Sequence, residues 1–231
     1  MKRHFFTLVL TGILILAAVG PALAANPNPG VIPNKGPKYS TLSIAWWQWA
    51  ISFGAELPFF NTGGPVDISA GQSGHVWFLA GANNGLNELR TGEVPSGTSL
   101  FFPLANLIND YPCPPEYNFE PLPGETLEHF LQRTGEEYLP AMTAGGLFAE
   151  IDGVPLTDLS AYQATSSLFQ FTADPALATF DPCITGTPQD GVAVGYWLLL
   201  PPLPPGTHTL HFGAPSWGQD ITYNLTVKPG H

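Results

Sequence analysis

Charge is scarce in this 231-residue chain: Asp, Glu, Lys and Arg make up 11% of it, and only 7 are basic against 18 acidic. So few Lys and Arg exclude nucleic acid or an anionic membrane as partner, because both are held through phosphate charge that this surface repels. A cation or a neutral ligand suits it better. Cysteine is rarer still. Cys113 and Cys183 are the whole complement, and neither has a second Cys or His at ligand spacing. A disulfide between them is therefore expected over a zinc pair, and no metal site is assigned. Closing a loop of about 70 residues should restrict the unfolded chain by roughly 4 kcal/mol. Fixed-period repeats are lacking, as is any break in composition, which points to a single folded domain.

Long apolar runs are confined to the beginning. Lys2, Arg3 and His4 precede an apolar stretch over residues 5–19, and Pro21-Ala22-Leu23-Ala24 follows. These are the basic, hydrophobic and small-residue regions of a secretory signal peptide, so residues 1–24 are read as one, cleaved after Ala24. The run is too short for a membrane span of about 20 residues. No cysteine follows the cleavage site to carry a lipid. The mature chain is expected to be periplasmic or secreted, without stable membrane insertion. A mature N-terminus at Ala25 also excludes the oxidative polysaccharide monooxygenases, whose copper needs an N-terminal histidine, and no cofactor is expected.

Gly and Pro are abundant, 25 of each, beside a 44% hydrophobic content. That combination describes a folded core built from short strands and many turns. Residues 25–38 form a Pro-rich linker or draped arm, and residues 39–231 a single β-rich domain. Within it, residues 41–53 have helical periodicity: Leu42, Trp46, Trp49 and Phe53 share one face, and Ile44, Trp47 and Ile51 make a second stripe, so the helix is covered on two sides or exposes Trp47. A second helix is expected over 125–139. Strands are expected over 75–80, 99–104, 147–151, 154–156, 168–172, 192–200, 207–212 and 221–227. Pro103 marks an edge or a strand end, residues 109–124 read as loop, and Asp152-Gly153 is a primed hairpin turn. Strand 221–227 alternates cleanly, with Ile221, Tyr223, Leu225 and Val227 on one face, as antiparallel sheets do. The fold class is mainly β, an antiparallel immunoglobulin-like or jelly-roll-like sandwich with two packed helices.

Catalytic constellations are incomplete. Ser73 lies in Gly71-Gln72-Ser73-Gly74-His75, which lacks the second glycine of a nucleophile elbow and leads into a strand, so a turn is the simpler reading beside a Ser73–His75 or Ser73–His208 hydrolase with Asp67 or Asp220 as the acid. Glu150 and Asp152, two apart in a strand, share a face and could pair for glycoside hydrolysis. Asp152 is more simply the turn residue. Leu203-Pro204-Pro205-Gly206-Thr207-His208 resembles the strand entry of immunoglobulin-like sandwiches, with His208 where a corner tyrosine stands. By alternation His208 faces inward and His211 outward, so the two make a poor chelate. The six tryptophans are more than packing needs, and flat aromatic faces stack on sugar rings. Trp47 and Trp217 are the candidates for ligand binding, the other four for core.

Several segments have a familiar look: Trp46-Trp47-Gln48-Trp49, Gly71-Gln72-Ser73-Gly74 running into Val76-Trp77-Phe78-Leu79-Ala80-Gly81, Val94-Pro95-Ser96-Gly97, Ile151-Asp152-Gly153-Val154-Pro155, and Gly195-Tyr196-Trp197. Together they resemble a group of hypothetical exported bacterial proteins over nearly the whole mature chain. The resemblance implies export and carries no established activity. That group has Pro where this chain has His75, and extra cysteines near Asp67 and Gly92, so it implies that His75 is a local novelty. The function expected is a non-catalytic exported binding domain for a glycan, an envelope component or another neutral ligand. The alternatives are a secreted ester or glycoside hydrolase and a structural or adhesive envelope protein.

Overall fold

The computed structural model describes residue 28 and residues 30–60, 63–82 and 87–229. The expected signal peptide lies outside the described residues. In chain order the elements are α1 (Lys38–Ile51), β1 (Gly64–Pro65), β2 (Val76–Phe78), β3 (Asn87–Val94), β4 (Ser99–Tyr111), α2 (Leu127–Glu136), α3 (Leu139–Thr143), β5 (Phe148–Ile151), β6 (Val154–Pro155), β7 (Gln163–Thr165), β8 (Phe169–Phe171), β9 (Gln189–Leu200), β10 (Gly206–Ala214) and β11 (Gln219–Val227). One sheet has the order β1-β3-β11-β10-β5-β6, the other β2-β4-β9-β7 with β8 also on β9.

The two sheets pack face to face as a β-sandwich. Phe102 of β4 meets Phe212 of β10 at 4.3 Å between ring centroids, and Phe212 stacks on Tyr223 of β11. The opposite face of β4 and β9 is covered by α1, where Trp197 stacks on Phe101 and takes Trp46 edge-on. Because β9 is covered on both faces, nearly every residue from Gly191 to Leu200 is buried. That is why it reads as a continuous apolar run where β11 alternates. At its other end, β9 buries Val192 and Val194 under Phe130 and Leu131 of α2. Thr126 caps α2 by accepting the His129 amide.

The expected antiparallel character holds for six pairings, but β1–β3, β3–β11 and β2–β4 are parallel, so the sheets are mixed. From β1 to β4 the chain crosses between layers at every connection. Each crossing reverses its direction, and alternate strands that meet in one sheet therefore run the same way. Three local expectations also change. Pro103 is not at a strand end: it lies inside β4, on a stretch that pairs with β9 alone because β2 reaches only Phe101, and the register with β9 shifts between Pro103 and Ala105, a bulge where a missing N–H is tolerated. Residues 109–111 continue β4 instead of opening a loop. Strand β3 escapes a reading by apolar alternation because its inward positions include Glu88 and Arg90, Arg90 donating to the Tyr223 hydroxyl at 2.8 Å.

The proline-rich arm is draped over the sandwich. The Ile32 amide donates to the Leu199 carbonyl at 2.8 Å, and Asn28 exchanges two hydrogen bonds with the backbone of Thr157. Cys113 and Cys183 are joined, closing a 70-residue separation. Among the described residues no helix is long and apolar enough to cross a membrane.

Candidate functional site

The sandwich places most sequence-nominated side chains apart from one another. Ser73 and His75 are exposed, and among the described residues no hydrogen bond joins Ser73 to a histidine. His208 is held elsewhere: its Nδ1 meets Asp152 Oδ2 at 2.8 Å and its Nε2 the Pro204 carbonyl at 2.9 Å. It thus ties the strand entry back to the backbone four residues upstream, as the corner tyrosine of immunoglobulin-like sandwiches does. Burial opposes the imidazolium, but Asp152 and the carbonyl outweigh it and raise the His208 pKa. For Asp152, too, burial is outweighed, by His208 and the Thr209 amide, and its pKa falls below the usual value. Asp152 sits with Gly153 at positive φ, the primed turn expected there, and its carboxylate is spent on His208 and Thr209. Glu150 and Asp152 do line one open depression together with Thr209 and His211, but the Asp152 carboxylate there is already engaged, and the cross-strand partners of Glu150 are His211 and Pro155. His211 pairs with Asp220 at 2.9 Å, away from His208.

An open groove of about 1230 Å³ runs past Trp77, Asp67 and His208. Its charged groups are already partnered: Asp67 with Ser69, His208 with Asp152, Lys228 with Glu93. A second cavity, of about 390 Å³, is different. It is walled by Trp47, Phe59, Phe180 and Trp217 and bordered by Asn106 and Asp181. Gly81 and Ala82, just after β2, and five further segments converge there. Helix α1 supplies Trp47, a 3-10 turn at Pro58–Phe60 supplies Phe59, and β4 just past its bulge supplies Asn106. Phe180 and Asp181 follow the 3-10 turn Pro175–Thr179, whose end Phe180 caps. The turn between β10 and β11 presents Trp217, fixed by donation of its Nε1–H to the Asn106 carbonyl at 3.1 Å.

Both tryptophans proposed for ligand contact thus line one cavity. Trp47 is not a surface platform, however. It is only 6% exposed, edge-on to Trp46 and Phe59, because α1 is covered on both stripes. Trp217 is half-buried and Phe180 exposed, so these two rings are the accessible ones. Among the described residues Trp47 Nε1 and Asn106 Nδ2 are buried donors without a partner, an unusual expense in a folded chain.

Two acids absent from the sequence-based candidates adjoin this cavity. Asp110, at the end of β4, is 3% exposed. Its carboxylate and that of Asp181 offer oxygens within 4.8 Å of each other, beside Cys183. The Cys183 sulfur is in the disulfide and cannot bind metal. Gln189 Nε2 donates to Asp110 Oδ2 and to the Cys183 carbonyl, and the Cys183 amide donates to Asp181 Oδ1. Burial, followed by the charge of Asp181, pushes Asp110 up to about 8. Burial raises Asp181 as well. Two carboxylates this close resist ionising together, so between them they retain a proton above the ordinary carboxylate range.

No family model and no curated protein matches this chain. A solved structure of PbICP-C in complex with falcipain-2 aligns at 12% identity over 67% of this chain and 100% of that one, with a TM-score of 0.21. A likeness that weak carries no argument about this chain.

Proposed function

We propose that the chain is a non-catalytic exported binding domain and that the cavity between α1 and the β10–β11 turn is its ligand site. The observation that carries the reading is that Trp47 and Asn106, which line an aromatic cavity, each keep a buried donor, Nε1 and Nδ2, that has no partner among the described residues. A few polar groups converging in an apolar pocket are how small-molecule sites fix their ligands. A volume of about 390 Å³ suits one sugar ring or a molecule of that size, so an extended glycan would enter by a single residue. The disulfide and the apolar start of the chain support export. Against the hydrolase alternatives, no hydrogen bond joins Ser73 to a histidine among the described residues, and the Asp152 carboxylate beside Glu150 is taken up by His208 and Thr209.

The test is a screen of monosaccharides and other compact molecules by quenching of tryptophan fluorescence, with Trp217→Ala beside the native protein. An aromatic contact is worth about 1 kcal/mol, so Trp217→Ala should weaken binding roughly fivefold with the melting temperature little changed. A ligand whose affinity ignores Trp217 would place the site elsewhere.

A further inference from the structure

We infer that this cavity selects a compact organic cation of the quaternary-ammonium type, carrying its own hydrogen-bond acceptor, over a neutral molecule of the same shape. The inference rests on the binding reading above and narrows it to one chemistry. The walls come first. Trp47, Phe59, Phe180 and Trp217 surround the space, and aromatic rings attract an ammonium through their quadrupoles, more strongly where water is excluded.

The second observation is an uncompensated charge. Among the described residues, Asp181 is the sole ionisable side chain on the cavity wall, and no Lys, Arg or His lines it or the adjoining cavity that reaches Asp110, Tyr117 and Tyr138. Asp181 is half-buried while Asp110 is almost wholly buried. Asp181, the more exposed of the two and the acceptor of the Cys183 amide, is the better placed to carry the negative charge of the pair. A half-buried carboxylate without a counter-ion loses part of its hydration with nothing to replace it. A cation entering the cavity supplies that counter-ion, whereas a sugar does not.

The third observation fixes the rest of the ligand. A bare tetraalkylammonium offers nothing to Trp47 Nε1 or Asn106 Nδ2. An attached hydroxyl or carboxylate oxygen does, and Trp217, anchored on the Asn106 carbonyl, holds its ring beside that donor.

The experiment is isothermal titration of the purified protein with choline, glycine betaine, glucose and 3,3-dimethylbutan-1-ol, the neutral carbon isostere of choline. Choline should bind at least tenfold more tightly than its isostere. Asp181→Asn, which keeps the acceptor for the Cys183 amide, should reduce choline affinity at least fivefold and leave the isostere unchanged. Equal affinity for choline and isostere overturns the cation inference, as does choline binding that ignores Asp181→Asn. Binding of glucose without choline overturns it too, yet leaves the binding reading standing. Failure of all four probes overturns the site altogether. Should Asp181→Asn fail to fold, the ratio of choline to isostere affinity on the native protein decides, since it needs no variant.

Discussion

Replacing Asp110 with Asn should stabilise the protein at alkaline pH and change little at acid pH. Folding lifts the Asp110 carboxyl from its ordinary 3.8 to about 8, through burial and the neighbouring charge of Asp181. The folded chain then holds a proton that the unfolded chain releases. By linkage, stability is highest below the unfolded pKa, declines as pH rises from about 4 to about 8, and is flat above. At about 1.4 kcal/mol for each tenfold change in proton affinity, an isolated group so raised would cost about 5–6 kcal/mol at pH 8.5. Asp181 shares the proton and relaxes once its neighbour is neutral, so we expect Asp110→Asn to recover about half of that, ~3 kcal/mol. The asparagine keeps an oxygen for Gln189 Nε2 and an N–H for Asp181. In a domain of this size ~3 kcal/mol corresponds to about 6–12 °C in melting temperature. Thermal melts of native and variant protein, taken from pH 4.5 to 8.5 without reductant, measure it. His208, with its raised pKa, also makes the native protein less stable as pH rises, but it is common to both chains and cancels in the difference. An advantage of the variant that does not grow with pH, or a variant less stable at pH 8.5, would refute the proton-sharing arrangement.

Reducing the Cys113–Cys183 bond should cost about 4 kcal/mol by the loop it closes, and melts with and without reductant would coincide if the bond contributes nothing. Gly195→Ala should destabilise strongly, by about 2 kcal/mol or more, since its Cβ would lie 2.3 Å from the Ala105 carbonyl oxygen and 2.7 Å from the Asn106 Cα; a neutral effect in denaturant titration would contradict the tight approach of β9 to the β4 bulge. Asp152→Asn should lower the His208 pKa by removing the partner that raises it, and an imidazole titration by NMR that does not move would show that the Pro204 carbonyl alone sets it.

The fold was legible where one residue class dominated a period. Residues 221–227 alternate because one face meets Phe212 and the core while the other meets water, and α1 was visible because Trp46 and Trp49 recur at helical spacing. Legibility failed where the inward face is not apolar. Strand β3 buries Glu88 and Arg90, so its sequence looks like a polar loop, although its backbone pairs with eight successive positions of β11. The parallel pairings were equally hidden. They arise from the chain's crossings between layers, and no local pattern records which sheet a short strand will join.

The cavity was half legible, and the missing half had a signal. Trp47 and Trp217 could be nominated from an excess of tryptophan, but nothing local says that residues 170 positions apart will line one space. Phe180 and Asn106 carry no pattern at all. Asp110 and Asp181 are another matter. Each stands within three residues of a cysteine, in Asp110-Tyr111-Pro112-Cys113 and Asp181-Pro182-Cys183, and the same reading that paired the cysteines also obliges the acids to approach. Two carboxylates brought together by a covalent bond, in a chain too poor in Lys and Arg to neutralise them, must share a proton or find a cation. The scarcity of positive charge that argued against a polyanionic partner is thus the feature that leaves Asp181 without a counter-ion among the described residues, and that counter-ion is what the proposed cationic ligand would supply.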